Sequence, residues 1–249
     1  MTLLLEFHEI AEGSHRILNP FTEDKLLLLG ELCRLQPGLS QLDLACGKGE
    51  MLCRWSERWG ISGVGVDISN VFLEAARQRA RELSVEDKLT FVEGDAGKYP
   101  QDYHEFDIVS CIGATWIGNG LVGTLELMKP ALKSRDSLLL VGEPYWIDTP
   151  PPEAYAALGV GENDYTTLAG TVERIRSAGL ELLEMVLANP DTWDRYEASQ
   201  WMTLSDFLRQ NPDYAKAAEL RAWFDKNRRA YLQYGRRYFG WGVFVLRPA

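Results

Sequence analysis

Residues Gln41 to Ser69 read QLDLACGKGEMLCRWSERWGISGVGVDIS, and how they fold decides the architecture of the chain. A short apolar run, Leu42-Asp43-Leu44-Ala45, stops at the glycine-bearing turn Cys46-Gly47-Lys48-Gly49, and a helical pattern follows with Leu52, Trp55 and Trp59 on one face. A second apolar run, Gly63-Val64-Gly65-Val66, ends in Asp67. Strand, tight loop, helix and strand in this order make a parallel βαβ unit with an acidic residue at the tip of its second strand.

Such a unit is suited to a nucleoside. Gly47 and Gly49 lack a Cβ, so the backbone turns sharply and a ligand can lie against it, facing the free N–H groups and the positive dipole end of the next helix. An anionic group belongs there. The carboxylate of Asp67, about twenty residues beyond Gly47, can accept two hydrogen bonds at once, which suits the vicinal hydroxyls of a ribose and repels a phosphate.

Two cofactor classes use this plan. The dinucleotide fingerprint G-x-G-x-x-G/A requires a third small residue where this chain has Leu52, and no Tyr-x-x-x-Lys pair accompanies it, so an NAD-dependent oxidoreductase is disfavoured. The stretch instead resembles motif I of the class I S-adenosylmethionine-dependent methyltransferases, acidic-x-G-x-G-x-G, with Asp43, Gly47 and Gly49 matching and Ala45 in place of the first glycine. The resemblance implies that the loop and helix end hold the methionine part of S-adenosylmethionine and that Asp67, with Ile68 beside it, holds the ribose. It also implies a Rossmann-like, doubly wound α/β fold. Its seven-stranded sheet would be mostly parallel, with the last strand antiparallel between the fifth and sixth.

At 249 residues the chain can bury a full core, as one large domain or as one domain with a sizeable insertion. A formal net charge of −10 supplies none of the basic footprint of a nucleic-acid binder, so nucleic acid and anionic membranes are not expected partners. Cys33, Cys46, Cys53 and Cys111 show no CxxC spacing, and Met1 to Ile10 lacks the basic start of a signal peptide, so reduced thiols in a cytoplasmic protein without a metal site are expected. The run Leu26 to Leu29 is too short to span a bilayer.

Residues 1–36 read as an N-terminal helical extension, with helices over Thr2 to Ala11 and Thr22 to Leu35 separated by Asn19-Pro20; it either covers the cofactor pocket, with Phe21 on the ligand, or only closes the sheet. Residues 37–249 form the methyltransferase domain implied by the resemblance. After Asp67, Ser69 caps a helix running to about Leu83, and Leu89 to Val92 is a third strand. The following Glu93-Gly94-Asp95-Ala96 resembles the family's G-D-A/V element, which implies that Asp95 accepts from the adenine amine beside Ala96; the alternative is that Asp95 caps a turn. Phe106 to Cys111 is a fourth strand. It runs into Ile112-Gly113-Ala114-Thr115-Trp116 at the family's motif IV, so Cys111, Ile112 and Gly113 are expected at the cofactor and Trp116 at the acceptor.

Leu121 to Leu132 is a helix bent or ended by Pro130, and Ser137 to Gly142 is a fifth, fully buried strand. At its exit stand Glu143, Tyr145 and Trp146, where open α/β sheets bind ligands; Glu143 is the candidate catalytic acceptor contact, against a plain loop-capping role. A helix over Thr167 to Ala178 and strands at Leu180 to Leu187 and Trp241 to Leu246 complete the sheet. Between the last two strands lies a helical, aromatic-rich insertion, residues 190–238, whose Trp193, Tyr196 and Trp201 are acceptor-pocket candidates. Tyr231, Tyr234 and Tyr238 share a face there, read as packing or as part of a lid, with Arg229 and Arg236 opposite and solvated. The function expected is methyl transfer to a small-molecule acceptor. The alternative is a non-catalytic sensor of an adenosyl ligand on the same fold.

Overall fold

The computed structural model describes residues 3–99 and 104–249, so Thr2, the expected start of the first helix, lies outside the described residues. The chain forms one seven-stranded sheet in the order β3-β2-β1-β4-β5-β7-β6. Its strands are β1 Ser40–Leu44, β2 Ser62–Asp67, β3 Leu89–Glu93, β4 Ile108–Ile112, β5 Leu138–Trp146, β6 Leu180–Leu187 and β7 Phe239–Pro248. The first five pair in parallel, and β7 lies antiparallel between β5 and β6.

Alternation along the strands builds two cores. Leu42, Leu44, Val109, Cys111, Leu139, Val141, Phe244 and Leu246 are buried on one face under α5 (Leu121–Met128) and α7 (Leu168–Ser177). Ile108, Leu140, Trp241, Val243 and Val245 are buried on the other, against α2 (Glu23–Leu32) and α3 (Glu50–Trp59). Caps stop and start the helices where the sequence places them: Thr22, Ser69 and Thr167 accept from Lys25, Phe72 and Gly170 amides, and Ser69 opens α4 (Asn70–Glu82). Helix α2 ends three residues earlier than expected.

The fifth strand is longer than the apolar run Ser137 to Gly142, and the residues expected at its exit, Glu143 to Trp146, belong to it. These four residues pair with Gly242, Trp241, Gly240 and Phe239 of β7. Pro144 is tolerated because β4 no longer flanks β5 beyond Gly142, and Trp146, two residues on along the same edge, sends its N–H to Thr166 instead. The fourth strand starts later than expected: Phe106 makes only an isolated bridge to Leu132. Asp107 accepts from the Ser40 N–H at 2.9 Å, tying the foot of β4 to β1.

The N-terminal helix α1 (Leu3–Ala11) packs on the insertion. Phe7 and Ala11 share a separate core with Leu204 and Leu208 of α8 (Pro190–Gln210) and Leu220 of α9 (Ala217–Ala230). Helix α9 continues into a π-helical turn, Tyr231–Gly235. Beside that turn Tyr231 and Arg236 reach one carboxylate, Asp194, at 2.7 and 3.0 Å, and Arg236 stays exposed to solvent as expected. Among the described residues no helix is long and apolar enough to cross a membrane.

Helix α3 lies close on β2 because Gly65 has no side chain there. A Cβ at Gly65 would come within 3.0 Å of Cys46 Sγ and of the Phe91 and Leu52 side chains. Gly65→Val is therefore expected to cost about 1–3 kcal/mol by overpacking, read as a lowered urea midpoint with the slope unchanged; an unaltered midpoint would show that the α3–β2 contact is loose.

Candidate active site

The carboxyl ends of the parallel strands open into a cavity of about 510 Å³. Strand β1 delivers Asp43 and Ala45 to it, β2 delivers Asp67 and Ile68, the loop after β3 delivers Asp95 and Ala96, and β4 delivers Ile112 and Gly113, followed by Trp116. Each strand ends at the same level because the parallel register is continuous from β3 to β5. The expected cofactor residues are thus brought together, with two exceptions. Cys111 is fully buried beneath the cavity, its thiol pushed up by desolvation, and does not line it. Gly49 does not line it either: its missing Cβ, at φ +63°, leaves room for Phe91 and Ala76, so this glycine serves helix packing.

Asp67 is buried and points into the fold, where Oδ2 accepts from the Gly47 N–H and Oδ1 from the Ser69 N–H, both at 2.8 Å. The Gly47 N–H is therefore held within the protein, and the N–H groups left for a ligand are those of the next helix. The missing Cβ of Gly47 is used by Leu18, whose Cδ1 would stand 2.7 Å from it. Ala45 takes a φ of +57°, a region where a side chain costs about 1–2 kcal/mol, so the position given to glycine in motif I keeps the glycine conformation here. The Glu50 and Met51 N–H groups, in the first turn of α3, have no intrahelical acceptor and line the same end of the cavity.

The electrostatics favour a cation. Asp43 accepts from Ser110 Oγ at 2.6 Å, and burial pushes its carboxyl up to about 7 in spite of that bond. Burial also raises Asp67, opposed by its two amide donors. Other lining charges are committed: Glu50 to Arg79 at 2.8 Å, Asp95 to Lys98 at 2.9 Å and to the Gly97 N–H at 3.0 Å, and Arg16 to Glu82 at 3.1 Å. Among the described residues, Asp43 and Asp67 have no ion-pair partner. With Lys48 committed to main-chain carbonyls, two desolvated carboxylates that form no ion pair fit a ligand that carries an ammonium and a sulfonium, and the acid held at the tip of β2 fits its ribose.

The acceptor candidates part company. Trp116 stands at the mouth of the cavity, 71% exposed. Tyr145, Trp146 and Trp193 line a second cavity of about 460 Å³ instead, with Phe239 stacked on Trp146 at 4.3 Å. For Tyr145 and Trp146 this follows from the longer β5; Trp193 is on α8. Tyr196 and Trp201 line neither cavity: the Tyr196 hydroxyl donates to Glu12 at 2.5 Å, and Trp201 meets Tyr231 edge-on. Glu143 is 2% exposed and also lies outside the lining; it accepts from Thr115 Oγ1 at 2.6 Å, and desolvation pushes it up to about 7. Sequence reasoning placed Phe21 on the cavity but missed Arg16, Leu18, Asn19, Lys48 and Val243, whose roles depend on contacts between distant segments.

Removing the fixed acid should be felt directly. Asp67→Ala is expected to weaken S-adenosylhomocysteine binding by about 1.5–3 kcal/mol, tenfold or more, the worth of hydrogen bonds to a charged group; equal calorimetric affinity would remove Asp67 from the site. The Asp43 shift gives a pH signature. Because the folded protein holds this proton up to about pH 7 and the unfolded chain does not, Asp43 makes the ligand-free protein less stable as pH rises from about 4 to 7. A cationic ligand favours the ionised form. The affinity for S-adenosylmethionine should therefore rise between about pH 6 and pH 8 more steeply than that for S-adenosylhomocysteine, which lacks the sulfonium charge, and Asp43→Asn should abolish the difference. Parallel pH profiles in the wild type would contradict it.

Residues 42–134 match the sequence profile of a methyltransferase domain family. The Escherichia coli protein YjhP is 44% identical over 239 residues, which cover 95% of this chain and 96% of that protein. The crystal structure of a SAM-dependent methyltransferase from Geobacter sulfurreducens in complex with S-adenosyl-L-homocysteine superposes with a TM-score of 0.92, at 42% identity and 98% coverage of both chains. A SAM-dependent methyltransferase from Thiobacillus denitrificans, in complex with the same molecule, gives 0.92 at 39% identity, covering 100% of this chain and 99% of that one. With its motif I loop, its acid at the tip of β2 and its antiparallel seventh strand, the chain belongs to the class I S-adenosylmethionine-dependent methyltransferases.

Proposed function

We propose that the chain methylates a small, largely apolar acceptor held against Phe21, Leu26, Leu29, Met51 and Val243, with Ile112 bordering both acceptor and cofactor. The observation that carries this reading is the roof: residues of the N-terminal segment, Arg16 to Asn19 and Phe21, cover the cavity and leave a chamber sized for a small ligand rather than an open groove for a polymer. The net charge of −10 supports the same choice. Residues 1–36 then act as the lid, residues 37–249 carry the reaction, and the unpaired cysteines suit a cytoplasmic setting.

S-adenosylmethionine supplies an electrophilic methyl group together with its own leaving group. The chain's residues have to orient the acceptor in line, exclude water and manage any proton released. Gly113 gives the acceptor a close backbone approach, with Trp241 forming the wall 3.7 Å from where its Cβ would lie. The six apolar residues named above carry no titratable group, and Glu143 and its partner Thr115 both lie outside the lining. An acceptor whose nucleophilic atom sheds its proton readily, a thiol or an enolisable carbon, fits this lining better than an alcohol that needs a base at hand. Glu143 is then a positioning group that fixes the turn Thr115–Gly118 after β4.

The test incubates the protein with methyl-labelled S-adenosylmethionine and a cell extract. Label in the organic-extractable, low-mass fraction is expected, and label precipitating with protein or nucleic acid would overturn the reading.

A further inference from the structure

Lys48 stands between the two motif I glycines, and its ammonium group does not reach a carboxylate. It donates instead to three main-chain carbonyls just past the end of α1: Glu12 O at 2.7 Å, Gly13 O at 3.0 Å and His15 O at 2.7 Å. Carbonyls beyond a helix C-terminus carry partial negative charge and lack intrahelical donors, so a buried cation is well placed there. The same segment is tied to α8 of the insertion. The fully buried Glu12 carboxylate accepts from Tyr196 Oη at 2.5 Å and Gln200 Nε2 at 3.0 Å and is bonded to His15 Nδ1 at 2.5 Å. The other His15 nitrogen meets Ser199 Oγ, and the Ser14 and Thr203 hydroxyls are 2.6 Å apart.

The ties to α8 and to Lys48 are almost all polar, while Ile17 and Phe21 pack on the core at the far end of the segment. Across residues 12–21 there is no regular helix or strand, and only Glu12 and Pro20 are buried. Water can replace such bonds when the segment lifts, whereas it cannot replace an apolar core contact. The segment in its shut position also carries an orphan: the amide oxygen of Asn19 is buried with no hydrogen-bond partner among the described residues, which disfavours that position. Yet Leu18 rests on Gly47, whose N–H is held by Asp67. The roof, the motif I loop and the ribose-binding acid are thus one chain of contacts.

We propose that Lys48 is a positioning residue that latches the segment Glu12–Phe21 over the cofactor cavity, so that release of the adenosyl ligand requires breaking its clamp on three carbonyls. This concerns retention of the cofactor and is independent of which acceptor is methylated. A ligand on Asp67 steadies the loop that carries Lys48 and so favours the shut roof; by reciprocity, the shut roof slows departure of the ligand.

The test compares wild type, Lys48→Met, Lys48→Arg and Tyr196→Phe by two measurements on S-adenosylhomocysteine complexes: the dissociation rate and peptide-level hydrogen exchange. Lys48→Met should dissociate about tenfold faster or more, with exchange accelerated at residues 12–21 and along the facing side of α8 while the strands keep their protection. Lys48→Arg, which can still donate to carbonyls, should restore part of the effect, and Tyr196→Phe, which loses bonds to Glu12 and Leu18, should move both readouts in the same direction more weakly. An unchanged dissociation rate in Lys48→Met, or exchange accelerated evenly through the sheet, would overturn the proposal. Should Lys48→Met fail to fold, an unaltered Tyr196→Phe would overturn it. Failure of the wild type to bind S-adenosylhomocysteine would contradict the cofactor assignment instead.

Discussion

The hydrogen bond from the Gly47 amide to the Asp67 carboxylate, 2.8 Å long, holds the site together. It joins the loop after β1 to the tip of β2, so the two places where this fold grips a nucleoside cannot move independently. Asp67 is ionisable, buried and in no ion pair among the described residues; backbone amides, chiefly those of Ser69 and Gly47, and the nearby His8 offset part of the loss of water around it. Asp43, one strand away, is in the same position with a single serine hydroxyl. An apolar pair would pack better at this spot. The unfavourable burial of two carboxylates makes physical sense when a positively charged ligand completes the site.

The N-terminal segment and the insertion extend this logic outward. Alone, α1 would expose Phe7 and Ala11, and the insertion would expose Leu204, Leu208 and Leu220; together they form a small core beside the sheet. That core fixes the segment's start, while Lys48, Glu12 and Leu18 fix its course over the cavity. The roof is therefore assembled from three separate parts of the chain, and its polar fastenings differ in kind from the apolar core beneath.

This division explains what could be read from the sequence. Strand, glycine loop, helix and Asp67 depend on spacings within thirty residues, and the structure places them as expected, as it does β6 at Leu180–Leu187 and the seventh strand between the fifth and sixth. Locally Glu143 to Trp146 look like the exit of the strand because their partners lie at the far end of the chain: pairing with Phe239–Gly242 overrides the local signals of Pro144 and of the end of the apolar run. Tyr145 and Trp146 then turn to the second cavity together with Trp193, and Glu143 is drawn under Thr115. Arg236 lies on a solvent face as its spacing implies, whereas its ion pair with Asp194 of α8 depends on packing between helices that no local pattern carries. Lys48 gave no signal beyond its place between two glycines, since its partners are main-chain carbonyls that any sequence would supply.

The most direct measurement is a crystal structure of this chain with S-adenosylmethionine bound. The ribose hydroxyls should rest on Asp67 with its bond to the Gly47 amide intact, and the charged end of the ligand should lie within reach of Asp43. A ligand seated elsewhere, or an Asp67 carboxylate turned away from the sugar, would contradict the account.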